Sequence, residues 1–103
     1  MHVTITTRNE AVSNNVRRHM EERLARVQRF EQRPTTATVC FGSARGQKNV
    51  EIKLNVAGGP SPLLANGGGA SFRSALDAAV DKLLRQLKRE RERHREHQAP
   101  RIA

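Results

Sequence analysis

The sequence predicts an α+β fold in the order β-α-β-β-β-α, a small sheet with two helices packed on one face. Three observations predict it. Short segments alternate apolar and polar residues with a period of two, as half-buried strands do. Two longer segments place apolar residues at helical spacing. Both helical stripes are one-sided, so each needs an apolar surface to cover, and one sheet face supplies it most economically.

The first strand is residues 2–7, with Val3 and Ile5 on one face and His2, Thr4 and Thr6 on the other. Ser13 is a good N-cap for the first helix, because its hydroxyl accepts from a free amide of the first turn. Val16, Met20, Leu24 and Val27 form the stripe, Phe30 lies near the end, and Arg33-Pro34 is expected to stop the helix. Residues 35–42 read as a second strand with Ala37, Val39 and Phe41 on one face. Residues 43–48 read as a basic, glycine-containing turn. Residues 49–56 give the cleanest strand, with Val50, Ile52, Leu54 and Val56 facing one way.

The stretch from residue 57 to 70 is harder to read. Pro60 and Pro62 cannot donate to a ladder, so any strand here is short and at an edge, anchored by Leu63 and Leu64. Gly67, Gly68 and Gly69 are expected to form a flexible turn. Their spacing matches neither phosphate-cradling glycine motif. Ser71 then caps a second helix, whose stripe is Phe72, Leu76, Val80, Leu83 and Leu87, joined by Ala75, Ala79 and Leu84. Residues 88–97 are polar all round, so they extend the helix into solvent or fray. The chain thus reads as one domain over residues 1–97 with a loose tail at 98–103.

Of the 103 residues, 19 are Lys or Arg and 10 are Asp or Glu, a formal net charge of +9. The basic residues divide as 10 in residues 1–70 and 9 in residues 71–103, so the charge belongs to the body and not to a tail alone. Such an excess favours a polyanionic partner. Arginine supplies 15 of the 19 cations, and its planar fork suits phosphate. Trp and Tyr are absent, which argues against an aromatic platform for bases. Cys40 is the single cysteine, so no disulfide framework exists and a small half-buried apolar role is expected. No apolar run approaches the length of a membrane helix, and the start carries no signal-peptide pattern. A cytoplasmic protein with no membrane partner is expected.

The second helix sorts its charges. Advancing about 100° per residue from Phe72, the core stripe centres near 50°. Arg85, Arg89, Lys82 and Arg93 then fall at roughly 220°, 260°, 280° and 300°, whereas Asp77 and Asp81 fall at roughly 140° and 180°. A helix made only for solubility would interleave the signs in i,i+4 pairs. Lys82, Arg85 and Arg89 instead form a ridge about 10 Å long, a spacing that tracks a phosphate backbone. Lys88 and Arg93 continue the basic end. On the first helix Arg23, Arg26 and Arg29 project beside the stripe, and Arg18 extends that flank. Arg45 and Lys48 in the hairpin turn, with Lys53 on the sheet, complete the candidate RNA-binding set.

The run Ala75-Leu76-Asp77-Ala78-Ala79-Val80-Asp81-Lys82-Leu83-Leu84-Arg85-Gln86-Leu87 resembles the second helix of the bacterial ribosome hibernation-promoting factors and ribosome-associated inhibitors. Arg23-Leu24-Ala25-Arg26-Val27 with Arg29 resembles their first helix, and Ile5-Thr6 before a Ser13-capped helix fits as well. The resemblance covers nearly the whole chain. It implies a fold similar in shape to double-stranded RNA-binding domains. It also implies a partner, the small ribosomal subunit, bound through its ribosomal RNA across the messenger and transfer-RNA sites, with idle ribosomes blocked and preserved. The family usually has a clearer fourth strand than residues 57–70 suggest. Its long members carry a second domain that pairs ribosomes, which this chain is expected to lack. A protein monomeric off the ribosome is expected.

No catalytic, cofactor or metal site is expected. His94 and His97 are i,i+3 on the polar extension without a metal-ligand signature, and His2 and His19 stand apart from them. Asp77 and Asp81 read as solvated helix charges. No small-molecule substrate is implied. The rival readings are a structural ribosomal protein and a general double-stranded RNA binder.

Overall fold

Alternation, helical spacing and capping build six elements: β1 (His2–Thr7), α1 (Asn14–Phe30), β2 (Pro34–Ala44), β3 (Gln47–Val56), β4 (Leu63–Gly69) and α2 (Phe72–Gln98). The structure, a computed structural model, describes residues 1–8, 11–58 and 62–98, with the side chains of residues 35 and 94–98 outside the description. Gln98, expected to begin the tail, instead ends α2, whereas the rest of the expected tail, Pro60 and the His94 and His97 side chains lie outside the described residues. The strands form one sheet in the order β1-β2-β3-β4. β1 runs parallel to β2, with α1 as the crossover, and β2, β3 and β4 pair antiparallel.

Ala37, Val39 and Phe41 of β2 and Val50, Ile52 and Leu54 of β3 all point to one face and are buried. Met20, Leu24 and Val27 of α1 and Phe72, Leu76, Val80, Leu83 and Leu87 of α2 close over them. Both helices thus cover the same face, as the two stripes require. The opposite face carries Thr36, Thr38 and Lys53.

Both helix starts are capped by serine. The Val16 amide donates to Ser13 Oγ at 3.2 Å. At α2 the Ser74 amide donates to Ser71 Oγ while the Ser71 amide donates to Ser74 Oγ, each at 3.2 Å. This is the reciprocal arrangement of a capping box, with serine in both positions.

Three expectations are corrected. First, α1 ends at Phe30, before the proline acts. Glu31 leaves the helix in extended geometry, its amide donating to Val27 O, and its carboxylate is buried against Arg33. Hydrogen bonds from Arg33 hold that carboxyl below the usual carboxylate range against the opposing effect of burial. Second, the hairpin turn is shorter than residues 43–48. Ala44 pairs with Gln47, leaving only Arg45 and Gly46 as the loop, with φ of 55° and 76°. Two positive φ angles suit the right-handed twist of the flanking strands.

Third, Gly67, Gly68 and Gly69 are not a turn but the end of β4, paired with Val50, Asn49 and Lys48. A Cβ on Gly67 would sit 2.1 Å from Ala75 O and 2.5 Å from Ala79 N. The glycine is there because α2 lies almost on the strand backbone, and the small residues Ala75 and Ala79 form the other side of that contact. β4 is an edge strand, as the prolines implied.

Candidate nucleic-acid interface

The basic residues are positioned by what anchors each helix. Asp77 of α2 accepts from Arg23 Nε at 2.8 Å and lies 2.7 Å from His19 Nε2, both on α1. On the far side of α2, Gln86 Nε2 donates to Leu64 O of β4 at 2.7 Å. Asp77 and Gln86 lie about 180° apart round the helix axis. The rotation of α2 is therefore fixed from both sides, and the flank carrying Lys82, Arg85 and Arg89 is turned toward the β4 edge, away from α1.

All three ridge residues are exposed, as are Lys88 and Arg93. Their stems rise from the turns that bury Leu83 and Leu87, so the cations ride on a part of the helix locked by the core. Arg18, Arg26 and Arg29 are exposed on α1. Arg23 is different: it is half-buried and committed to Asp77, so it joins the helices as well as adding charge. Asp77 correspondingly corrects the reading of a merely solvated acid.

The remaining candidates separate. Arg45 is at the hairpin tip, exposed, with a left-handed backbone. Lys48 is not in the turn; it lies on β3, half-buried, with Nζ 4.9 Å from the centroid of the Phe72 ring. Lys53 is exposed on the sheet face opposite the helices. The fold thus brings Lys82, Arg85 and Arg89 together and disperses Lys48 and Lys53.

Two residues outside the sequence-derived set shape the surface. The Arg91 guanidinium stacks 4.5 Å from the Phe30 ring centroid and donates to Phe30 O, so it ties the polar end of α2 to the end of α1. Its position, roughly 100° round the helix from Phe72, borders the core stripe and is the signal for this role. Arg8 continues the β1 ladder, its amide donating to Phe41 O at 2.9 Å. Nothing in the spacing of the sequence marks it. Among the described residues, no helix is long and apolar enough to cross a membrane.

Comparison with known proteins decides the family. Residues 3–95 match the model of the family described as Sigma 54 modulation protein / S30EA ribosomal protein. The chain belongs to the S30EA family. Among its relatives are the ribosome hibernation promoting factors of Pseudomonas putida and Azotobacter vinelandii. The first is 34% identical over 98 residues, covering 95% of this chain and 90% of the relative. The second is 30% identical over 101 residues, covering 98% and 89%. The S30EA fold is seen again in a ribosomal subunit interface protein from Coxiella burnetii. That likeness has a TM-score of 0.82 at 22% identity, over 89% of this chain and 99% of the other. The N-terminal domain of Protein Y from Thermus thermophilus matches with a TM-score of 0.76 at 29% identity, over 86% and 98%.

Proposed function

We propose that this S30EA protein is a ribosome hibernation factor. It binds the small ribosomal subunit at the decoding region, across the messenger and transfer-RNA sites, and keeps idle ribosomes blocked and preserved. It acts by occupancy in the cytoplasm and catalyses nothing. The observation that carries this reading is the ridge Lys82–Arg85–Arg89. It is exposed, set on a helix fixed by Asp77 and Gln86, and turned to one side of a chain whose relatives are named hibernation promoting factors. Because the helix is already fixed in rotation, only the cation side chains remain to be ordered when they meet phosphates, and phosphate contacts fix register on a nucleic acid.

Arg45 adds support. A left-handed backbone costs an arginine roughly 1–2 kcal/mol relative to glycine, and a residue kept at such a cost points to a role beyond the fold. Arg18, Arg26 and Arg29 on α1 extend the basic surface, and Lys88 and Arg93 lengthen it along α2.

The test is competition. Labelled protein is titrated with intact small subunits, large subunits and naked duplex RNA at physiological salt. Preference for small subunits, relieved by messenger and transfer RNA, is the expected result. Equal affinity for duplex RNA would favour the general RNA-binding reading instead.

A further inference from the structure

The sheet face opposite the helices carries a groove that the ridge does not explain. In the cross-strand row Gly42–Asn49–Gly68, Gly42 of β2 pairs with Asn49 of β3, and Asn49 pairs with Gly68 of β4. Two of the three positions have no side chain of their own, which lets the Gln47 amide lie over Gly68, where a Cβ would stand 2.6 Å from Gln47 Nε2. The cavity, about 480 Å³, is bordered by Cys40, Glu51 and Asn66 in the next row, with Arg8 and Lys82 also lining it. The Arg8 stem lies over Gly42, where a Cβ would stand 3.8 Å from Arg8 Cβ. Lys82 belongs to α2 and reaches the groove from the β4 side, so it is shared with the ridge.

Asn49, Glu51 and Asn66 are exposed, and among the described residues none has its side chain in a hydrogen bond or ion pair. The groove therefore offers one carboxylate and three amides, those of Gln47, Asn49 and Asn66, with two cations, Arg8 and Lys82, at its margin. A bare phosphate fits this poorly, since Glu51 would repel it. A nucleotide fits well: its phosphate is drawn to Lys82 or Arg8, its base edge meets Glu51 and the amides, and the Arg8 guanidinium plane offers the stacking surface that the missing aromatics do not.

The geometry points to a site for one unpaired guanine nucleotide of an RNA strand. Guanine presents N1–H and N2–H side by side, and both can donate to the two carboxylate oxygens of Glu51. Its O6 accepts from the Asn49 or Asn66 amide. Adenine and cytosine each present one donor beside a ring-nitrogen lone pair that faces the carboxylate, and uracil presents a single N–H between two carbonyls. This reading rests on the proposed RNA role, and adds to it a base-reading site that a backbone following the ridge reaches through Lys82.

The test uses the full chain and short unstructured RNA. Oligouridine heptamers with a central G, A or C are titrated by fluorescence anisotropy. The expected result is about tenfold tighter binding of the G heptamer, the scale of a bidentate base contact. Glu51→Gln should erase that preference, and Gly42→Val, which fills the row without meeting backbone, should lower G affinity to that of A. Equal binding of all heptamers by the parent protein, or a G preference that survives Glu51→Gln, would overturn the site. Ribosome binding by the Arg85/Arg89 alanine variant, which leaves the groove's Lys82 in place, is the separate readout for the hibernation reading. Its failure leaves the heptamer preference in place, and loss of the preference leaves ridge-dependent ribosome binding in place.

Discussion

Arg23 on α1 and Asp77 on α2 meet at 2.8 Å, and the same carboxylate oxygen lies 2.7 Å from His19. One acid thus holds two α1 side chains one helical turn apart, and fixes how α2 is rotated over the sheet. Asp77→Ala should destabilise the protein by about 1–2 kcal/mol, since it strands a largely buried His19 and a half-buried Arg23. Urea unfolding measures this. A change within ~0.3 kcal/mol would show that packing alone sets the helix pair.

Gly67 is fixed by the closeness of α2. Gly67→Ala drives a methyl into Ala75 O and Ala79 N, which are backbone atoms that cannot turn aside. A loss of about 1–3 kcal/mol or more is expected from overpacking. Near-parental stability would mean that α2 stands farther from β4 than described.

Arg45 separates stability from binding. Arg45→Asn keeps the hairpin geometry with a residue that visits the left-handed region readily. Stability should rise by up to about 1 kcal/mol while ribosome affinity falls. A variant that gains stability and binds unchanged would remove Arg45 from the interface.

Glu31 makes a pH-dependent contribution. Its carboxyl is held low in the folded state by Arg33, so this contribution is complete above the unfolded value of about 4.3 and is lost as pH falls through the lower folded value. Glu31→Gln should therefore be less stable than the parent near neutrality, with the two converging in acid. A gap that stays constant from pH 7 to pH 3 would contradict the assignment.

Most of the fold is legible because periodicity reports which face is buried. Val50, Ile52 and Leu54 announce β3, and Phe72 to Leu87 announce α2, without reference to any partner. β4 is only half legible: the prolines and Leu63-Leu64 point to a short edge strand, but its glycines answer to Ala75 and Ala79 across the helix–sheet contact and carry no local pattern. The same holds at the site. The wheel of α2 places Lys82, Arg85 and Arg89 on one exposed flank. It does not show that Asp77 pairs with Arg23, that Lys48 sits over Phe72, or that Gly42 and Gly68 share a row, because each depends on a neighbour distant in sequence.

The ridge itself is tested most directly by ribosome binding of the Lys82→Ala, Arg85→Ala, Arg89→Ala triple variant across a salt series, with circular dichroism as the folding control. All three side chains are exposed, so the variant should fold like the parent. It should bind small subunits at least about tenfold more weakly and inhibit translation correspondingly less. The dependence of log affinity on log salt should flatten by about two to three units, since three fewer phosphates release counterions. A folded variant that binds with parental affinity and an unchanged salt slope would contradict the assignment of the α2 ridge as the ribosome-binding surface.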